Sequence, residues 1–430
     1  MKAFSGNITP DSFSGAIFAV EGIRDSCTVL NGPTGCKFYH SAIAESQFQR
    51  NLGRNPLIFR SEFHFGMPRV PATYLDGNDY VFSGREKLER LLRLVAGGDY
   101  GLIAVINSPG AALIGDDLGD FLERTVRGLP CFALETAGFS GSFGAGYQRA
   151  LAGAIDALRA EPGAPRPRTV NLLGLGIYQR YHEGDRHALE GLLRLCGVEL
   201  LGVPGAGDDT ATLARLGQAA LNVVVYPEFG AELAEKLRAD YGTPALALEQ
   251  GPPLGFDATE GFIRQVCAAL DAEPTPALER VGAARARAYR FLARFTTLLG
   301  FPKGTLFSIK AEASTAYALT RWLSSYLGMI PQAISLNDEA ESPFVPRLRA
   351  YLDSIKRGAA LTSPLSPCHL LLGDANSIAA LRLEGQRFCG IEIAMPSLSY
   401  IDVTEKSLLG EQGALFLLEQ VLNGLRYVLP

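Results

Sequence analysis

The sequence predicts an α/β protein in which parallel sheets are covered by helices on both faces, and three observations carry that expectation. Short apolar runs ending in turn signals recur at residues 101–107, 169–174, 221–226, 245–248 and 369–373. Between them lie amphipathic stretches with the period of a helix, such as 230–241 and 314–328. Strand alternating with helix, with no repeat at a solenoid period, implies parallel crossover units.

In chain order, a short apolar strand ends near Asn31, and the glycine-hinged loop Gly32-Pro33-Thr34-Gly35-Cys36 leads from it into a helix expected to start near Lys37. The Pro/Arg-rich stretch from Glu161 to Arg168 reads as the clearest linker, and a second break falls at 271–276. The expected domains are therefore 1–165, carrying the Cys36 loop, 166–275 and 276–430; a length of 430 residues also suggests about three.

Composition narrows the function by exclusion. A net charge of −5 offers no basic stripe for nucleic acid. There is no run of about 18 apolar residues for a membrane span, and the start of the chain lacks the charged and apolar regions of a signal peptide, so a cytoplasmic protein is expected. Seven scattered cysteines without a C-x-x-C pair read as reduced thiols.

Chemistry concentrates at Cys36. If its helix starts near Lys37, unsatisfied N–H groups and the positive end of the helix dipole face the sulfur and favour the thiolate, a ligand for soft metals. The other thiols read as structural: Cys131, Cys196 and Cys389 lie in apolar contexts, and Cys267 on the apolar side of a helix. Cys368 and His369 are adjacent in a strand and point to opposite faces, which prevents easy chelation of one ion. His40 reads as a surface histidine and His64 as a packed one. No phosphate-binding G-x-x-x-x-G-K-[ST] loop occurs, so ATP hydrolysis is not expected of this chain, and Gly174-Leu175-Gly176 lacks the third glycine of a dinucleotide fingerprint.

The Cys36 loop resembles the Gly-Pro-x-Gly-Cys cluster loop of nitrogenase component 1 and its relatives. Four further segments match in order: Val81 to Leu88, which is similar to the family's helix start; Ile114-Gly115-Asp116-Asp117; Glu135 to Ser142 with Gly146-Tyr147; and Leu409-Gly410-Glu411-Gln412-Gly413-Ala414 with Asn423. These collinear matches identify the chain as a member of that family, whose fold is three Rossmann-like domains with parallel sheets flanked by helices.

The resemblance implies an iron-sulfur cluster, of four-iron or eight-iron P-cluster type, at the interface between two homologous subunits that each give up to three cysteines. Cys36 fills one position. The upstream position falls on Asp11, which resembles the aspartate ligand of the B-type protochlorophyllide reductase subunit but is also a good helix cap. The third falls near Pro109, which has no side-chain donor. Cys27 is either a small buried core residue or the replacement for that ligand. The cysteine and histidine that hold the cofactor in catalytic subunits fall near Tyr226 and at Tyr400 or Ile401, which are not ligands for it. The resemblance therefore implies a β-type subunit paired with a homologous α-type subunit in an α2β2 heterotetramer. Electrons would come from a separate homodimeric iron-sulfur ATPase, and the substrate would be a methylthio-alkane or another molecule besides dinitrogen. The alternatives are a scaffold for cofactor assembly and a cluster-less structural partner.

Overall fold

The computed structural model describes residues 10–36, 69–115, 117–126, 128–135, 141–159, 163–337, 342–362, 365–397 and 402–429. Their strands form three parallel sheets in chain succession. The first unit runs α1 (Ser12–Glu21), β1 (Ser26–Asn31), α2 (Gly77–Phe82), α3 (Arg85–Val95), β2 (Leu102–Asn107), α4 (Pro109–Ala112), α5 (Leu118–Thr125), β3 (Cys131–Leu134) and α6 (Phe143–Leu158), with strand order β1-β2-β3.

The second runs β4 (Arg166–Leu173), α7 (His182–Leu195), β5 (Glu199–Gly202), α8 (Thr210–Leu213), β6 (Ala219–Val224), α9 (Pro227–Tyr241), β7 (Ala245–Ala247) and α10 (Gly255–Leu270), ordered β5-β4-β6-β7. After the long helix α11 (Thr275–Leu299) come β8 (Leu306–Ala311), α12 (Ala313–Arg321), β9 (Ile330–Leu336), α13 (Phe344–Ser354), β10 (Leu370–Gly373), α14 (Ala375–Leu383), β11 (Cys389–Glu392) and α15 (Gly410–Val428), ordered β11-β10-β8-β9.

The α/β architecture is the one expected, and all five expected apolar runs are strands. Every position of β1 and β2 is buried, as befits strands covered on both faces. Two local expectations change. The end of the expected linker is the start of β4: Arg166 pairs with Ala219, and the register then shifts before Val170. Pro167, which has no N–H, and Arg168, at φ +54°, sit in that irregularity, which is where a strand tolerates proline. The helix expected through 328 ends as α-helix at Arg321 and continues as one π-turn over Trp322–Tyr326.

Two features set how the units meet. Helices α1 and α6 cross at glycines: a Cβ on Gly15 would lie 2.0 Å from the Phe143 carbonyl oxygen, and one on Gly146 would lie 1.9 Å from that of Ser12. Backbone-to-backbone approach at this crossing places the start of α1 beside the start of α6. The second feature is three carboxylates that reach from one unit to backbone N–H groups of the next. Asp25 accepts from the Thr210 N–H at 2.8 Å, opening α8. Asp185 accepts from the Leu408 and Leu409 N–H groups at 2.7 and 2.9 Å and from the Ser407 hydroxyl at 2.8 Å, just before α15. Glu228 accepts from the Ser314 N–H at 2.8 Å, in the first turn of α12. The Thr210 and Ser314 N–H groups, in the first turns of α8 and α12, have no partner within their own helix, so those two contacts resemble helix caps supplied by a neighbour, while Asp185 holds the backbone that leads into α15.

The crossing predicts that Gly146→Ala destabilises the fold by about 3 kcal/mol or more, because the methyl meets fixed backbone rather than a side chain. Gly191→Ala is the control: in α7, with no atom of the described residues within 4 Å of the added methyl, it is expected to gain about 0.5–1 kcal/mol. Denaturant unfolding of both variants checks this. A second expectation concerns Asp185, whose carboxyl is pushed up to about 6 by burial, against the pull of its three donors. A raised folded-state value means the native state holds the proton more tightly than the unfolded chain, so this contribution is favourable below about pH 4 and is lost as pH rises through about 6. Asp185→Asn keeps an acceptor without the buried charge. Its stability relative to the parent is expected to rise by up to about 3 kcal/mol between about pH 4 and pH 7, measured by unfolding at each pH.

Candidate metal centre

The loop after β1 is pinned on three sides before it reaches Cys36. Asn31 and Asn107 are register partners at the C-terminal ends of β1 and β2, and the Asn31 amide donates to the Asn107 side-chain oxygen at 2.9 Å. The Thr73 hydroxyl donates to Asn31 Oδ1 and accepts from the Gly32 N–H, both at 3.0 Å. Ser108 N–H donates to the Asn31 carbonyl at 2.9 Å, and Leu75 N–H to that of Gly32 at 3.0 Å. Glycine is required at 32, because a Cβ would lie 2.6 Å from Ser108 Oγ. On the other side, among the described residues, a methyl on Gly35 would meet no atom within 4 Å.

Helical conformation begins at Thr34, at the edge of the described residues; Lys37 and His40 lie outside them. Cys36 is thus inside the first turn rather than in front of it. It is half-buried at the margin of the main core. Partial burial pushes its thiol up, the charge of Asp11 adds to this, and its backbone N–H opposes both only in part. The expected thiolate is therefore disfavoured in the chain by itself. A cation between Cys36 and Asp11 would reverse that balance, since a metal ion dominates its local field and deprotonates a coordinating thiol.

Asp11 is the N-cap of α1. Its Oδ1 accepts from both the Ser14 N–H and the Ser14 hydroxyl at 3.0 Å, and its backbone bridges to Ser142 at the start of α6. Capping occupies one carboxyl oxygen; among the described residues Oδ2 has no hydrogen-bond partner. The thiol of Cys27 lies elsewhere. It is fully buried in β1, within an apolar cluster of Val29, Leu88, Leu92, Ile103, Val105 and Phe121.

At the third position Pro109 opens α4, and the Ser108 hydroxyl caps it by accepting from the Ala111 N–H at 3.2 Å. The residue that sequence reasoning missed is Tyr80, from α2. Its phenol pairs with the Ser108 side chain and is pushed up by burial and then by the proximity of Cys36. Its hydroxyl stands 3.0 Å from where a Cβ of Gly110 would be, so the glycine after Pro109 was the one sequence signal. Among the described residues no three His, Cys, Asp or Glu side chains gather as a complete metal site.

The remaining thiols do not join this region. Cys196 and Cys267 are buried against each other, and burial pushes Cys267 up to about 12. Burial likewise pushes Cys389 up to about 11. Cys368 is buried in a small apolar cluster, while His369 Nδ1 accepts from the Leu306 N–H at 2.9 Å. Cys131, expected in a core, is only half-buried on the edge strand β3. Tyr226 is buried at the start of α9. His64, Asp116, residues 136–140, Tyr400 and Ile401 lie outside the described residues.

Comparison with known proteins agrees with the architecture around this loop. Residues 12–426 match the family described as nitrogenase component 1 type oxidoreductase. The B-type subunit of the light-independent protochlorophyllide reductase of Rhodospirillum rubrum is 33% identical over 177 residues, which cover 39% of this chain and 32% of that one. The corresponding subunit from Methylocella silvestris is 30% identical over 271 residues, 61% of this chain and 50% of its own. The matches thus span a third to a half of the length of these relatives. A solved structure described as nitrogenase Cp1 at pH 6.5 superposes with a TM-score of 0.79 over 98% of this chain and 93% of that chain; at 17% identity this is a likeness of fold. Taken with the match over almost its whole length, the chain belongs to the nitrogenase component 1 type oxidoreductase family.

Proposed function

We propose that this chain is the β-type subunit of an ATP-dependent nitrogenase-like reductase, in which Cys36 and Asp11 are ligands to an iron-sulfur cluster shared with a homologous α-type partner. The observation that carries the reading is the Cys36 thiol, half-buried on the pinned loop after β1 and held in the field of the Asp11 carboxylate. That arrangement is unfavourable for the thiolate alone and favourable once a cation is bound. When bound, the cluster supplies one-electron transfer. The chain's own residues supply the anchor: Cys36 a sulfur on the loop pinned at Asn31–Gly32, and Asp11 the carboxyl oxygen that its helix cap does not use. Ser108 and Tyr80 put oxygens, not sulfur, where a third cysteine would stand. Cys27 is left to the core, and the missing ligands are assigned to the partner.

On this reading the units divide at 1–165, 166–275 and 276–430, the assembly is an α2β2 heterotetramer in the cytoplasm, and a separate homodimeric iron-sulfur ATPase hydrolyses ATP and delivers electrons. Protochlorophyllide-like macrocycles and methylthio-alkanes are the substrate classes to test. A scaffold that loads a precursor cluster and releases it is the second reading, favoured by the single thiol.

Two measurements test the site. Purified anaerobically with its α-type partner, the chain is expected to carry iron near four or eight atoms per heterodimer. Cys36→Ala is expected to lose most of it with an unchanged melting temperature, since a half-exposed loop thiol contributes little packing; full iron in that variant sinks the ligand assignment. In the metal-free chain, Asp11→Asn keeps a cap acceptor but removes the charge that raises Cys36. Its Cys36 is expected to react with iodoacetamide several-fold faster near neutral pH, and an unchanged rate would separate the two side chains.

A further inference from the structure

The C-terminal edges of the second and third sheets face a cavity of about 310 Å³. In the second sheet, β5 lies on one side of β4 and β6 on the other, so the strand order reverses between β4 and β6; in the third it reverses between β8 and β10. Crevices outside the carboxyl ends of strands at such reversals are where open α/β sheets bind ligands. Tyr178 follows β4, Glu228 follows β6, Glu312 follows β8 and Asn337 follows β9, and all four line the cavity.

Its walls have a definite chemistry. Phe143, Tyr178 and Phe229 form an aromatic side, with ring centroids 5.5, 4.3 and 6.0 Å apart. Three carboxyl groups, Asp11, Glu228 and Glu312, line it, and among the described residues no lysine, arginine or histidine does. Glu228 is engaged by the Ser314 N–H and by the Ser314 and Ser342 hydroxyls at 2.8, 2.7 and 2.6 Å. Glu312 accepts from the Asn337 amide at the longer distance of 3.2 Å. Burial, and then the charge of Glu228, raise its carboxyl, the condition a bound cation relieves. Among the described residues no thiol or imidazole lines the cavity, so its donor set suits an organic ligand.

We propose that this cavity is a binding site for a small organic cation, an ammonium or amidinium carried on an apolar or aromatic body, whose charged group meets Glu312 and Asn337 while its body packs on Phe143, Tyr178 and Phe229. Attraction of a cation to a partly buried carboxyl and to aromatic faces gives the discrimination. The site is independent of the Cys36 ligand assignment, although Asp11 contributes to its rim.

The test is calorimetric titration of the full chain in complex with its partner, using benzylamine as the cation and benzyl alcohol as its neutral counterpart. Benzylamine is expected to bind at one site per chain at least tenfold more tightly than the alcohol. Glu312→Gln is expected to abolish that preference, and thermal melting confirms that the variant is folded. Asn337→Leu, which fills the space beside Glu312, is expected to weaken benzylamine and carries the test if Glu312→Gln does not fold. Equal affinity for the two probes, no heat from benzylamine up to about 10 mM, or full binding in a folded variant overturns the proposal. Iron content, measured on the same samples, reports on Cys36 separately.

Discussion

Three carboxylates hold this architecture together by accepting from backbone N–H groups at, or just before, the starts of helices they do not belong to. The N–H groups at a helix start have no partner inside the helix. Asp25, Asp185 and Glu228 supply acceptors from the preceding unit to α8, the approach to α15 and α12. Each contact joins a directional requirement to a charge that favours the positive helix end. Apolar packing between units could slide; a carboxylate aimed at particular N–H groups permits one docking. Asp185 illustrates the expense of the arrangement, since burial pushes its carboxyl up to about 6.

Docking of this kind turns the C-terminal edges of the second and third sheets toward a common space and brings the first sheet's loop to its rim. The glycine crossing of α1 and α6 adds the last adjustment. With Gly15 and Gly146 allowing main chain to touch main chain, the Asp11 cap lies against Ser142 and within the field of Cys36. Larger residues there would part the helices and move Asp11 away from the thiol. One aspartate thereby serves as helix cap, as candidate iron ligand and as part of a cavity wall.

Negative charge accumulates where these elements converge. Asp11, Glu228 and Glu312 share one cavity without a lysine, arginine or histidine among the described lining residues, and Asp11 also raises the Cys36 thiol. Such a surface is poised for positive partners, whether iron at the thiol or an organic cation in the cavity. Stability alone would favour neutral side chains at these positions, because partly buried like charges oppose folding.

The α/β class and all five apolar strands were legible in the residue order, because periodicity is local. Asp11 was legible as a cap for the same reason. The strands β3, β5, β8, β9 and β11 were not singled out; β3, β5 and β11 span only four residues, and polar residues such as Ser308, Lys310 and Ser335 interrupt the apolar signal of β8 and β9. The Pro167 irregularity hid the start of β4 for a related reason, since proline reads as a breaker until a bulge accommodates it. The partnership of Cys36 with Asp11, the arrival of Tyr80 beside Ser108, the burial of Cys27 and the acidic cavity joining residues from 10 to 395 depend on how three sheets dock. Local sequence carries propensity and chemistry along the chain, whereas burial and electric field are sums over neighbours that only packing brings close.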